Sequence, residues 1–84
     1  MWLLGKPIID VDLHGLLRTE AMQKIDAALK EADRGTYQIR LIHGYHRGSS
    51  LRTMIREEYR YCSSILRIIP GENEGITIFV LREM

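Results

Sequence analysis

Asp10, Asp12 and His14 fall at every second position of one short stretch. In an extended strand that spacing places all three on one face. An imidazole titrates near neutral pH and can carry a proton to or from a reacting oxygen. A carboxylate beside it, Asp10 or Asp12, can orient the ring and favour its charged form. Asp10 and Asp12 are also the candidate ligands for a divalent cation such as magnesium or manganese. Residues two apart on a strand stand about 7 Å apart, so closing a coordination sphere there needs other segments. The plain alternatives are solvated or turn-capping aspartates and a strand-end histidine that makes a structural hydrogen bond.

A second group follows in His43-Gly44-Tyr45-His46-Arg47-Gly48-Ser49-Ser50. Gly44 and Gly48 allow close backbone approach and offer N–H groups, and Ser49 and Ser50 add hydroxyls. Arg47 and Arg52 have the planar donor fork that grips a phosphate from two sides. Tyr45 is either a base-stacking platform or an exposed loop aromatic. Arg52, Arg56 and Arg60 recur every four residues and make a stripe along a helix, which reads as a phosphate track or as a solvated face. From Arg34 to Arg67 there are seven arginines and no lysine against only Glu57 and Glu58, while both flanks are net acidic. The overall charge of +1 hides this sorting.

These residues need elements to hold them. Alternation of Ile9, Val11 and Leu13 with polar partners predicts a strand from Ile8 to His14, left through Gly15. Ala21, Met22, Ile25, Ala28, Leu29 and Ala32 predict a helix from Thr19 to about Asp33, with Thr19 as its N-cap and Gly35 past its end. Tyr37 to His43 reads as a second strand with Tyr37, Ile39 and Leu41 on one face. Ser50 to about Tyr61 reads as a second helix with Leu51, Met54, Ile55 and Tyr59 inward. Ile65–Ile69 and Ile76–Leu81 flank a run of turn residues and form a hairpin. The order β-α-β-α-β-β implies right-handed crossovers, a parallel first pair and an antiparallel last strand. All three histidines then fall at the carboxyl edge of the parallel strands, where open α/β sheets bind ligands, and the second helix begins there too.

At 84 residues the chain is one domain, with a core over about residues 8–82 and residues 1–7 as an N-terminal extension. A 45% hydrophobic and 27% charged composition excludes a disordered chain. No apolar run is long enough to span a bilayer, and no secretory signal pattern opens the chain. A single cysteine, Cys62, excludes an internal disulfide and a cysteine-based zinc site, and fits a cytoplasmic location.

Asp12-Leu13-His14-Gly15 with Glu20-Ala21, then Ile42-His43-Gly44 with Gly48 and Leu51-Arg52, then Gly71, Asn73, Gly75 and Thr77 resemble the three motifs of the Smr (small MutS-related) domain family. The resemblance runs from about Ile9 to Leu81. It implies a two-layer α/β sandwich with a mixed four-stranded sheet, like the C-terminal domain of translation initiation factor three. Several members are endonucleases acting on RNA or DNA. Carried over, Asp12 and His14 would be the central pair and His43, Gly44 and Gly48 the phosphate-facing loop; together with the residues read above, the candidate catalytic set is Asp12, His14 and His43, and the candidate phosphate-binding set is Gly44 to Ser50 with Arg52 and Arg56. The family's second motif reads His-Gly-x-Gly-x-Gly; here His46 stands where the middle glycine belongs, and the run to Leu51-Arg52 is one residue longer.

The resemblance thus points to an endonuclease working through His14 and Asp12. With RNA as substrate, its own 2′-hydroxyl serves as nucleophile and no cofactor is required; with DNA, water must attack and a divalent metal near Asp10 and Asp12 is expected. The alternatives are a nucleic-acid-binding module without catalysis and a protein-interaction domain. The expected partner is RNA or DNA, with the ribosome as one setting; a membrane is not, and the expected state is a monomer.

Overall fold

The computed structural model describes residues 6–44 and 48–83. Its elements are β1 (Ile8–Asp12), α1 (Arg18–Glu31), β2 (Gln38–Ile42), α2 (Gly48–Tyr59), β3 (Arg67–Pro70) and β4 (Ile76–Val80). Alternation decides which strand side chains turn inward. Ile9, Val11, Ile39, Leu41, Thr77 and Phe79 are buried, while Asp10 and Asp12 between them are exposed. The apolar stripes of both helices, Ala21, Ile25 and Ala28 from α1 and Leu51, Met54, Ile55 and Tyr59 from α2, join the same core. Tyr59 tilts against Phe79 with ring centroids 5.5 Å apart, which fastens α2 over the middle of the sheet. The result is the expected two-layer sandwich, with helices over one sheet face.

The sheet runs β1-β2-β4-β3. β1 and β2 are parallel, and β4 is antiparallel to both β2 and β3. The register sets Asp12 opposite Ile42 and Ile42 opposite Ile76, so the ends of β1 and β2 and the start of β4 share one edge. On the helix-free face Arg40 crosses the strands, pairing with Asp10 at 3.0 Å and with Glu72 of the β3–β4 turn at 2.5 Å. Among the described residues no helix is long and apolar enough to cross a membrane.

Several element ends differ from the sequence reading. α1 begins after Leu17, two residues before the expected Thr19 cap. A leucine side chain accepts no hydrogen bond; the Glu20 carboxylate instead reaches back to the Leu17 N–H at 2.9 Å and supplies half of a capping box. The helix stops at Glu31 without using Gly35, because Ala32 leaves in an extended conformation. Asp33 Oδ1 then accepts the Gly35 N–H at 2.8 Å, and Thr36 Oγ1 accepts the Asp33 N–H at 3.2 Å, closing a side-chain-held turn. β1 ends at Asp12 rather than His14, although the Leu13 N–H still donates to the Ile42 carbonyl at 2.8 Å.

Candidate functional site

The chain leaves β1 through a tight turn. Gly15 adopts a positive φ of 76°, and the Leu16 N–H donates to the Leu13 carbonyl. Leu13 is driven fully into the core, and this sets His14 facing out. Asp12 Oδ1 accepts the backbone N–H of His14 at 3.1 Å and stands 2.5 Å from His14 Nδ1. The pair sits in water, with side chains 72% and 58% exposed for His14 and Asp12. The imidazole and the His14 backbone N–H hold the Asp12 carboxyl below the usual aspartate range. Asp12 is therefore an anion at neutral pH, and Nδ1 is the protonated nitrogen that faces it. Nε2 is left toward solvent. Of the two carboxylates that could serve His14, the geometry selects Asp12; Asp10 is turned to Arg40.

His43 is a different histidine. It is 2% exposed, and its Nε2 lies 2.8 Å from the Thr77 hydroxyl while Nδ1 faces the Gly44 carbonyl at 3.1 Å. A carbonyl only accepts, so Nδ1 carries the proton and Nε2 accepts from Thr77. Burial pushes the imidazole's pKa down, and the charges of Arg52 and Arg56 add to this. The ring is neutral with neither nitrogen free, and it ties the end of β2 to β4.

Gly44, expected to lend its N–H to a phosphate, does not do so. Its N–H and that of His43 both donate to the Gly75 carbonyl, at 3.0 and 2.9 Å. Gly44 has a φ of 85°, and a β-carbon there would stand 3.6 Å from His14 Cβ. Its contribution is to let β2 turn sharply against the Asp12–His14 turn. Gly75 is itself held by Asn73, whose Oδ1 accepts its N–H at 2.8 Å. The closing turn, the end of β2 and the turn after β1 therefore touch one another in sequence across the edge.

Gly48 opens α2, and Ser50 lies exposed in its first turn. Arg52 and Arg56 are half-exposed one turn apart. Tyr45, His46 and Arg47 lie outside the described residues, as does the side chain of Ser49. Among the described residues no three of histidine, cysteine, aspartate or glutamate gather to hold a metal ion, and Asp10 is held in an ion pair with Arg40.

Comparison with known proteins finds the Smr domain family matching residues 11–82. The chain belongs to the Smr domain family. The match spans all three motifs, so the Smr core coincides with the strands and helices that build this edge. Two curated relatives, both called endonuclease MutS2, are 41% identical over 95% of this chain (from Thermus thermophilus) and 33% identical over 88% of it (from Symbiobacterium thermophilum). The chain spans only 12% and 10% of the length of those relatives. The crystal structure of the Smr domain of Thermus thermophilus MutS2 superposes with a TM-score of 0.77 at 35% identity, covering 89% of this chain and 99% of that one.

Sequence reasoning missed what holds the Smr edge together: the Thr77 hydroxyl behind His43 and the Gly75 carbonyl under His43 and Gly44. Parity carried the first signal. His43 continues the inward series Ile39, Leu41, and Thr77 precedes the inward Phe79 by two. Thr77→Val, which keeps the shape and removes the hydroxyl, is expected to cost about 1–3 kcal/mol by leaving Nε2 without its donor. Urea denaturation measures this. The unfolded imidazole titrates near 6.5 and the folded one lower. Above that range both are neutral; as pH falls below it the unfolded chain takes up a proton that the folded chain refuses, and stability drops. Denaturation at pH 7.5 and 5.5 should show this loss, and His43→Gln should remove its share of the slope.

Proposed function

We propose that this Smr domain binds nucleic acid across the edge formed by β1, β2 and the β3–β4 turn, and cleaves its phosphodiester backbone. The observation that carries the reading is the exposed Asp12–His14 pair, with Nδ1 fixed by a carboxylate and Nε2 open to a substrate. That is the arrangement of an oriented general base. On RNA, Nε2 takes the proton of the 2′-hydroxyl as O2′ bonds to phosphorus; the bond from phosphorus to the 5′-oxygen breaks, the leaving 5′-oxygen takes a proton from water, and the imidazolium returns its own to solvent. On DNA a water molecule takes the place of the 2′-hydroxyl. Asp12 stabilises the imidazolium that forms. Arg52, in the second turn of α2, draws the strand's phosphates to this edge. His43 serves as a positioning residue, and no step is assigned to a divalent ion. The names of the MutS2 relatives support the nuclease class.

The test is a gel assay of the domain with end-labelled single-stranded RNA, hairpin RNA and duplex DNA, each with magnesium, manganese or chelator and beside a His14→Ala control. Cleavage by the parent alone, persisting in chelator on RNA, is the expected result. Equal cleavage by the control would assign the activity to a contaminant. A shifted band that fades with salt, without cleavage under any condition, would reduce the domain to a binding module.

A further inference from the structure

Arg18, Arg40 and Arg67 each meet a carboxylate, whereas Arg52 and Arg56 have no ion-pair partner among the described residues. Both face the β3–β4 turn across a pocket of about 320 Å³, walled on the other side by Pro70, Asn73, Glu74 and Thr77. That volume lies in the range of small-ligand sites. The pocket adjoins the edge already described, because the Thr77 that lines it also holds His43. β4 is two strand spacings, about 10 Å, from β1, so the pocket lies beside the Asp12–His14 turn and not upon it.

Two guanidiniums alone would make a plain anion site. Glu74, exposed and bonded to neither of them, spoils the pocket for a bare phosphate. Asn73 spends its carbonyl oxygen on Gly75 and keeps only its amide N–H groups to offer. A ligand that satisfies both signs carries an anion at one end and hydrogen-bond donors at the other. A nucleotide within a strand does this: its phosphodiester suits the arginine forks, and an exocyclic amino group on its base suits a carboxylate. Pro70 supplies an apolar wall for the base.

We propose that this pocket seats one nucleotide next to the bond held at His14, with its phosphate on Arg52 and Arg56 and its amino-bearing base edge on Glu74. Cytosine, adenine and guanine are accepted there in preference to uracil and thymine. The assignment rests on the nucleic-acid reading above.

The experiment uses the full chain, isotope-labelled for amide NMR, with single-stranded octamers of cytidine and of uridine nucleotides whose 2′-hydroxyls are methylated to prevent cleavage, and affinities taken by fluorescence anisotropy. Shifts at Gly71, Asn73, Glu74 and Ile76 are expected alongside those at Leu13 to Gly15. The cytidine octamer should bind about 10-fold tighter. Glu74→Ala should bring the ratio to near one, and Arg56→Ala should weaken both octamers alike and reduce the salt slope by about 1. Binding that shifts Leu13 to Gly15 and leaves the turn unmoved overturns the pocket and spares the nucleic-acid reading. So does a ratio that Glu74→Ala does not change. No shift anywhere overturns both.

Discussion

Asp12→Asn is expected to lower cleavage by about 10²- to 10⁴-fold, close to the loss in His14→Ala, with little change in melting temperature. The reason lies in what the carboxylate does for the ring. As an anion Asp12 accepts Nδ1–H, which leaves the lone pair on Nε2, and it stabilises the cation formed when Nε2 takes a proton. An asparagine can turn its amide N–H toward Nδ1 and drive the proton to Nε2, where it blocks the base. Even with the oxygen kept in place, the negative charge is gone. Folding should tolerate the change because both side chains are mostly solvated, and such exposed ion pairs contribute little. The discriminating variant is the double one. If Asp12 acts only through His14, Asp12→Asn costs nothing further once His14 is alanine. A further loss in the double variant would give Asp12 an independent role and sink the dyad. The pH profile adds a second readout: with its carboxyl held below the usual aspartate range, Asp12 stays ionised over the acid limb, and its protonation should not appear there.

Much of this was legible because the chain obeys local rules. Period-two strands and two helical stripes fixed the order of elements, and one short turn-rich run made β3 and β4 a hairpin. Parallel pairing of β1 with β2 then had to bring His14 and His43 to the same edge. The roles of the two histidines were not separable by type or spacing. His14 follows a buried Leu13 and leads into a turn, so it faces out; His43 extends an inward-facing alternation and is capped by a threonine 34 positions on. Long-range partners of this kind leave no mark near the residue they serve. The same holds for Gly44: its place in a glycine-bearing loop suggests a phosphate donor, and the fold turns its N–H to the Gly75 carbonyl. α1 starts before Thr19 for a local reason: Thr19 has the better cap chemistry, yet Glu20 satisfies the Leu17 N–H from inside the helix.

Gly75→Val should be the most damaging change outside the dyad, at about 2–4 kcal/mol of stability and about 10²-fold in cleavage. A β-carbon at this buried glycine would already stand 3.3 Å from the backbone of Gly44 and 3.2 Å from Asn73 Oδ1. Two further methyl groups cannot be absorbed by a side chain moving aside, since the neighbour is main chain. The turn must swing away from β2, and the carbonyl that receives both the His43 and Gly44 N–H groups goes with it. For a domain of this size the whole margin is only about 4–12 kcal/mol. Activity falls beyond what unfolding explains, because Gly44 lies beside His14 and a shift of about 1 Å there spoils the alignment of Nε2. Gly75→Ala should fall between parent and valine, as the backbone need give only a few tenths of an ångström. Gly15→Ala is the contrast: it strains a positive φ but meets nothing within 4 Å, and its cost should stay near 1–2 kcal/mol. Thermal melts of the three variants, with cleavage rates taken well below each melting point, separate backbone strain from contact across the edge. A Gly75→Val protein that cleaves at the parent rate would mean that the closing turn does not position His14.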